Sequence, residues 1–110
     1  MAELDDDSDA PILSVQAGSD GAGQPLIRIA GDLDISSVDA LREAVGAATA
    51  AAPEHITFDL SELRFMDSAG ISVLLGAARD VPGVTLLKPT PPVKRVIELT
   101  GLTDVLEVRS

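Results

Sequence analysis

The chain contains no Cys, no Trp and no Tyr, and it has only two Phe among its 110 residues. Without Cys there is no disulfide framework, no thiol nucleophile and no Cys-based metal site, which is compatible with a reducing cytoplasm. The shortage of aromatic rings leaves no platform on which nucleic-acid bases could stack. The hydrophobic content of 45% still predicts a folded chain, and its length suits one domain.

Positive charge is also scarce, because the chain has 8 Lys and Arg residues and 18 Asp and Glu residues. We therefore predict no binding to nucleic acid or to an anionic membrane, since both need clustered basic residues. No apolar run is long enough to span a bilayer, and no secretory signal precedes the domain, so we expect a soluble cytoplasmic protein with a protein partner. Five acids predict a disordered tail over residues 1–10, ahead of a single domain at 11–110: Glu3, Asp5, Asp6, Asp7 and Asp9.

The parts of common catalytic sites are missing as well. There is no phosphate-binding Gly-rich loop, no HExxH pair and no nucleophile elbow. His55, the only histidine, precedes a predicted strand, whereas Ser68 follows the end of that strand. The two side chains should therefore lie about 15 Å or more apart. We predict that the chain is not an enzyme, that it has no catalytic residue, metal site or cofactor, and that His55 is a surface residue where a strand starts.

Hydrophobic periodicity and turn residues predict the element order β-β-α-β-α-β-α-β. The first two strands, 12–17 and 26–30, are joined by a connection too short for a crossover helix, so they should form a hairpin. A helix with capping-box spacing from Ser36 to Asp39 comes next, and a strand over 56–60 follows it. A second helix is predicted from Ser68, and it leads to a strand over 84–87. The third helix is opened by Pro91 and Pro92 and ended by Gly101, and an edge strand over 105–108 closes the chain. Right-handed crossovers then give an α/β fold in which helices pack mainly on one face of a mixed sheet.

The stretch around residues 56–78 changes period at Asp67 and Ser68. Alternating apolar residues before them predict a strand, and four apolar residues after them predict a helical stripe, namely Ile71, Leu74, Leu75 and Ala78. Asp67 and Ser68 stand where the first helical amides lack intrahelical partners, so the plainest interpretation is a helix cap. The alternative is a hydroxyl displayed at a helix start, which favours a phosphate.

Val73 falls outside the predicted stripe although it is apolar and β-branched. It is either an ordinary exposed valine or the apolar centre of a docking surface beside Ser68 and Ser72.

Three segments in fixed order carry a family resemblance and cover nearly the whole chain after residue 10. They are Arg28-Ile29-Ala30-Gly31-Asp32-Leu33-Asp34, then Met66-Asp67-Ser68-Ala69-Gly70-Ile71 with Val73-Leu74-Leu75-Gly76, then Pro92-Val93-Lys94-Arg95 through Leu99-Thr100-Gly101-Leu102. On these segments the chain resembles bacterial anti-sigma factor antagonists, which belong to the STAS domain family. Ala69 departs from the family, which often has Ser or Thr there, but the preceding Ser68 is kept.

The resemblance implies a phosphorylation switch at Ser68. The unphosphorylated chain would bind an anti-sigma factor and free a sigma factor, while the anti-sigma factor would act as the serine kinase and a serine phosphatase would restore the active form. The partner-binding residues expected on this basis are Asp32, Asp34, Ser36, Ser37, Asp67, Ser68, Ala69, Gly70, Ser72 and Val73.

Two other functions suit the same sequence. The STAS fold also serves as a non-catalytic subunit of larger assemblies, such as a lipid-transport ATPase or a stress-sensing complex, and Ser68 would then only cap a helix. Alternatively, Asp32, Asp34 and Asp67 could gather as a receiver-like Mg²⁺ and phosphate site, with Lys88-Pro89 nearby. The opening hairpin argues against a receiver, which begins with a βαβ unit.

Overall fold

The computed structural model describes residues 13–110, so the predicted acidic tail at 1–10 lies outside the described residues. Its elements follow the predicted order: β1 (Leu13–Ser19), β2 (Pro25–Leu33), α1 (Val38–Thr49), β3 (His55–Met66), α2 (Ser68–Asp80), β4 (Gly83–Leu87), α3 (Pro91–Leu99), a 3-10 turn (Leu102–Asp104) and β5 (Glu107–Arg109). None of the helices in residues 13–110 is long and apolar enough to cross a membrane.

The five strands form one mixed sheet in the order β1-β2-β3-β4-β5. β1 and β2 pair antiparallel, which confirms the predicted hairpin, and every later pair is parallel. Each parallel pair is joined through a helix, as parallel neighbours require. The predicted α/β fold with a mixed sheet is therefore confirmed.

The two faces of the sheet differ in polarity. On one face, Ile27, Phe58 and Leu86 sit side by side in register and belong to the buried cluster that the helices complete. The other face carries polar pairs, among them Arg28 Nε with Asp59 Oδ2 at 3.2 Å and His55 Nε2 with Thr85 Oγ1 at 2.8 Å. The prediction that helices pack mainly on one face is confirmed. His55 does begin a strand, although it is half-buried.

β3 is much longer than the strand predicted over 56–60, because residues 61–66 continue it instead of forming a connection. Two register shifts against β2 place one extra β3 residue between Arg28 and Ala30 and another between Gly31 and Asp32. The bulges break the two-residue alternation, so that beyond Leu60 buried and exposed side chains no longer take turns. A strand with this pattern cannot be found by alternation alone.

The buried face of α2 is rotated from the predicted stripe. Gly70, Val73, Leu74 and Ala77 are buried, whereas the other stripe residues are only partly buried against the core. Of the two alternatives for Val73, the ordinary exposed valine is wrong, because the exposure of Val73 is only 7%. The cause lies at Gly70, where a Cβ atom would stand 2.6 Å from Leu33 Cδ2, so only glycine lets the helix lie this close.

The ends of α1 and the stop of α3 can be assigned to particular residues. α1 ends at Thr49, after which Ala52 adopts a positive φ of 52° and Pro53 follows. The predicted capping box is wrong: the N-cap of α1 is Ser37, and Ser36 bonds elsewhere. After α3, Gly101 has a φ of 77°, the left-handed conformation expected of the residue that terminates a helix.

Gly70→Ala tests the close seat of α2 on β2. The added methyl group would meet the fully buried Leu33 and also Met66 Cγ at 2.8 Å. Overpacking of this kind costs about 1–3 kcal/mol, against a helix-propensity gain of about 1 kcal/mol. The matched control is Gly46→Ala in α1, where no atom lies within 4 Å of the added Cβ. Urea unfolding should show Gly46→Ala clearly more stable than Gly70→Ala, and equal stabilities would contradict the assigned contact.

Candidate functional site

The site lies where the neighbouring parallel strands β2 and β3 end. Leu33 pairs with Met66, and the backbone N–H of Asp67 donates to the carbonyl of Leu33 at 3.1 Å. The loop that leaves β2 and the first turn of α2 are thereby fixed side by side. The structure thus brings together the two segments that the sequence marks, residues 32–37 and 67–72.

Asp67 is the cap of α2, and Ser68 is the first helical residue. The Asp67 side chain accepts a hydrogen bond from the backbone N–H of Ala69 at 2.9 Å. Ser68 is exposed, and its hydroxyl makes no hydrogen bond within residues 13–110. The capping role therefore belongs to Asp67 alone, and the Ser68 hydroxyl is displayed at the positive end of the helix dipole.

The loop after β2 is held by bonds centred on Asp34 and Ser37. Asp34 Oδ1 accepts from the backbone N–H of Ser36 at 3.0 Å and from its hydroxyl at 2.7 Å. The Ser37 hydroxyl donates to the carbonyl of Asp32 at 2.8 Å and accepts from the backbone N–H of Asp34 at 3.0 Å. The hydrogen bond from Ser36 lowers the pKa of Asp34 below its ordinary value, so this loop carries a carboxylate at neutral pH.

The three acids considered for a receiver-like site each have a separate local partner. Asp32 lies 3.4 Å from the Arg64 guanidinium, Asp34 binds the loop serines, and Asp67 binds the first turn of α2. Across residues 13–110 no group of three or more His, Cys, Asp or Glu side chains is arranged to hold a metal ion. These bonds give each acid a structural task in shaping the site.

Two large apolar side chains at the site were not among the partner-binding residues predicted from the sequence. Ile35 is 81% exposed in the loop after β2, and Phe65 is 49% exposed near the end of β3, where Asp32 pairs with it. Exposed apolar residues of this size, flanked by polar groups, are typical of protein-binding surfaces. The available signal for Ile35 was its place inside an otherwise polar loop. Continued alternation from Phe58 and Leu60 would place Phe65 on the exposed face, but the predicted strand ended at residue 60.

The other predicted residues fall into two groups. Ser36 and Ser72 are exposed, while Ser37 and Ala69 are half-buried. Gly70 and Val73 are buried, Gly70 against β2 and Val73 on the face of α2 that lies beside α1. The surface at this end of the sheet is therefore formed by the loop, Phe65 and the first turns of α2.

Asp67→Ala should remove the side-chain cap of α2. Loss of such a cap typically costs about 0.5–2 kcal/mol, because the Ala69 amide loses its acceptor. Asp67→Ser is the matched control, since a serine oxygen can accept the same bond. Thermal melting should rank wild type and Asp67→Ser together and above Asp67→Ala. An unchanged melting temperature in Asp67→Ala would show that the cap contributes nothing to stability.

Comparison with known proteins agrees with this geometry. Residues 18–107 match the family model described as "Mlab, STAS domain". An anti-sigma F factor antagonist from Lysinibacillus sphaericus is 34% identical over 82 residues, which cover 70% of each chain. The crystal structure of an anti-sigma factor antagonist from Mycobacterium paratuberculosis superposes with a TM-score of 0.83 at 27% identity, over 91% of this chain and 88% of that one.

A second solved relative is the anti-sigma factor antagonist SpoIIAA. Its unphosphorylated form superposes with a TM-score of 0.75 at 27% identity, over 88% of this chain and 89% of the SpoIIAA chain. SpoIIAA from Bacillus has also been solved in a phosphorylated form, which superposes with a TM-score of 0.68 at 26% identity, over 88% of this chain and 92% of that one. By its sequence match over most of its length, this chain belongs to the STAS domain family.

Proposed function

We propose that this chain is an anti-sigma factor antagonist controlled by phosphorylation of Ser68. Unphosphorylated, it binds an anti-sigma factor with serine kinase activity and so frees a sigma factor. The kinase transfers the γ-phosphoryl group of ATP to Ser68 Oγ, the bond between the γ-phosphorus and ADP breaks, and ADP and the hydroxyl proton are released. The modified chain no longer binds. A serine phosphatase reverses the modification. In this proposal the chain catalyses nothing, needs no cofactor, binds neither nucleic acid nor membrane, and works in the cytoplasm.

The observation that carries the proposal is the exposed Ser68 hydroxyl beside a cap that does not use it. A serine kept only to cap the helix would accept the bond that Asp67 accepts here. The relatives that resemble this chain in sequence and fold are antagonists of anti-sigma factors, and one of them exists in a phosphorylated form. These facts favour the antagonist over a structural subunit in which Ser68 only caps the helix.

The proposed docking surface combines polar and apolar contacts. Its outward polar groups come from Asp32, Asp34, Ser36, Ser37, Asp67, Ser68 and Ser72, with Ala69 between them. Ile35 and Phe65 are its apolar anchors, because large side chains near the centre of an interface supply most of the binding energy. Gly70 supports the surface from below by letting α2 seat on β2.

Phosphorylation adds about −1.5 to −2 charges at neutral pH. Within the domain, the start of α2 favours that anion by about 0.3–1 kcal/mol, while the Asp67 carboxylate repels it, so the fold should keep its stability. At the interface, a partner surface shaped for a neutral hydroxyl would bury the new charge without a counter-ion. Such a charge costs several kcal/mol, which corresponds to a loss of about a hundredfold or more in affinity.

Ser68→Ala should abolish phosphate uptake and keep partner binding, and Ser68→Asp should weaken binding only in part because it carries one charge on a shorter side chain. ATPase-fold anti-sigma factors of the source bacterium would be incubated with the chain and ATP, with phosphate located by mass spectrometry and affinity measured by calorimetry. Ser72→Ala is the matched control for phosphate uptake alone, since it removes an exposed hydroxyl one turn further along α2. Phosphate on Ser72, or unchanged affinity after phosphorylation of Ser68, would refute the switch.

Phe65→Ala should weaken partner binding by about 1–2 kcal/mol, or roughly 5–30-fold, because it removes an apolar anchor. Leu99→Ala is the control, since Leu99 is a large apolar residue 78% exposed at the end of α3, in a segment apart from the site. Both variants replace exposed side chains, so their melting temperatures should stay near that of the wild type. Equal affinities of the two variants would remove Phe65 from the docking surface.

A further inference from the structure

A groove of about 260 Å³ runs between α1 and α2 on the outer side of the helical layer. It begins at Ser72, one turn after Ser68, and continues along α2 to Asp80. Ser68 and Ser72 are four residues apart on one helix, so both point to the same side. The groove therefore extends from the phosphorylation surface proposed above.

Two glycines, one from each helix, keep this groove open. No atom lies within 4 Å of a Cβ built on Gly46, and the nearest atom to a Cβ on Gly76 is a guanidinium nitrogen of Arg79 at 3.9 Å. Neither glycine has a positive φ. Glycine inside a helix is less stable than alanine, because it loses more backbone freedom on folding.

Gly70 differs from these two glycines, because a side chain at Gly70 would collide with Leu33. Packing explains Gly70, but nothing in the fold of residues 13–110 requires Gly46 or Gly76. Both are nevertheless placed on the same groove, one on each wall. Each helix is therefore less stable than it would be with alanine at this position, and the structural consequence of the two glycines is the open space of the groove.

The lining of the groove has the composition of a binding surface. Val45, Val73 and Ala77 form an apolar floor, and polar side chains such as Arg42, Ser72 and Asp80 stand along the rim. Arg42 is itself bonded to Asp39 at 2.7 Å, so its charge is partly compensated. An apolar centre with a polar rim is the usual anatomy of a protein interface.

We infer that the anti-sigma factor inserts an aliphatic side chain into this groove while it covers Ser68. The inference rests on the proposed function, because its occupant is the partner that docks at Ser68. The apolar floor matches an aliphatic side chain, and the glycines allow that side chain to reach the floor. Docking would then use two adjoining regions: a polar one that senses phosphate and an apolar one that adds affinity in either state.

The test fills the groove from each wall in turn. Gly76→Leu and Gly46→Leu should fold normally and melt at or above the wild-type temperature, because leucine favours a helix and both positions have open space. Each should lower affinity for the anti-sigma factor by about tenfold or more, and Gly76→Ala should have a smaller effect. Ala47→Leu is the matched control, since Ala47 is exposed on the side of α1 that faces the β1–β2 hairpin.

The outcomes separate this inference from the proposed function. If the wild-type chain binds and responds to Ser68 phosphorylation while both leucine variants bind equally well, the groove is not used and the inference is wrong. If the wild-type chain binds no anti-sigma factor, the proposed function fails and the inference fails with it. If light scattering shows that the leucine variants change self-association and leave partner affinity intact, the occupant is a second copy of the chain, which also overturns the inference.

Discussion

The first turn of α2 lies so close to the end of β2 that a side chain at position 70 would collide with Leu33 and Met66. Gly70 provides the space, Leu33 fills it from below, and the carbonyl of Leu33 accepts a hydrogen bond from Asp67. Because this contact joins two elements that are more than thirty residues apart in the chain, it fixes the loop after β2 against the helix start. Without it, Ser68 and the Asp34 loop would have no common surface.

The site separates support from display. Asp67 and Gly70 hold the helix in place, and the bonds among Asp34, Ser36 and Ser37 hold the loop. The Ser68 hydroxyl has no such structural task, and the side chains of Ile35 and Phe65 are exposed. A rigid support explains why a local charge can act as a switch in the proposed mechanism. The domain can keep its own conformation, because the unfavourable free energy arises only at the interface, where a docked partner would remove water from the phosphate.

Local rules were sufficient to predict the element order, the hairpin, the helix start at Ser68 and the helix stop at Gly101. They failed where a neighbour decides the outcome. The bulges in β3 arise from its pairing with β2, so alternation could not show that the strand continues to Met66 or that Leu63 is buried. The orientation of α2 depends on its seat at Gly70, and for that reason Val73 is buried although the helical period placed it off the apolar stripe.

The two bulges of β3 also bear on how the length of this strand can vary among relatives. Each bulge accommodates one extra β3 residue while the residues after it stay in register with β2, so Leu33 and Met66 form a buried pair beyond both bulges. Removal of the extra residue at one bulge would restore regular pairing there and would leave Met66 opposite Leu33. Single-residue changes of length at the two bulges are therefore compatible with the position of Met66 and with the start of α2.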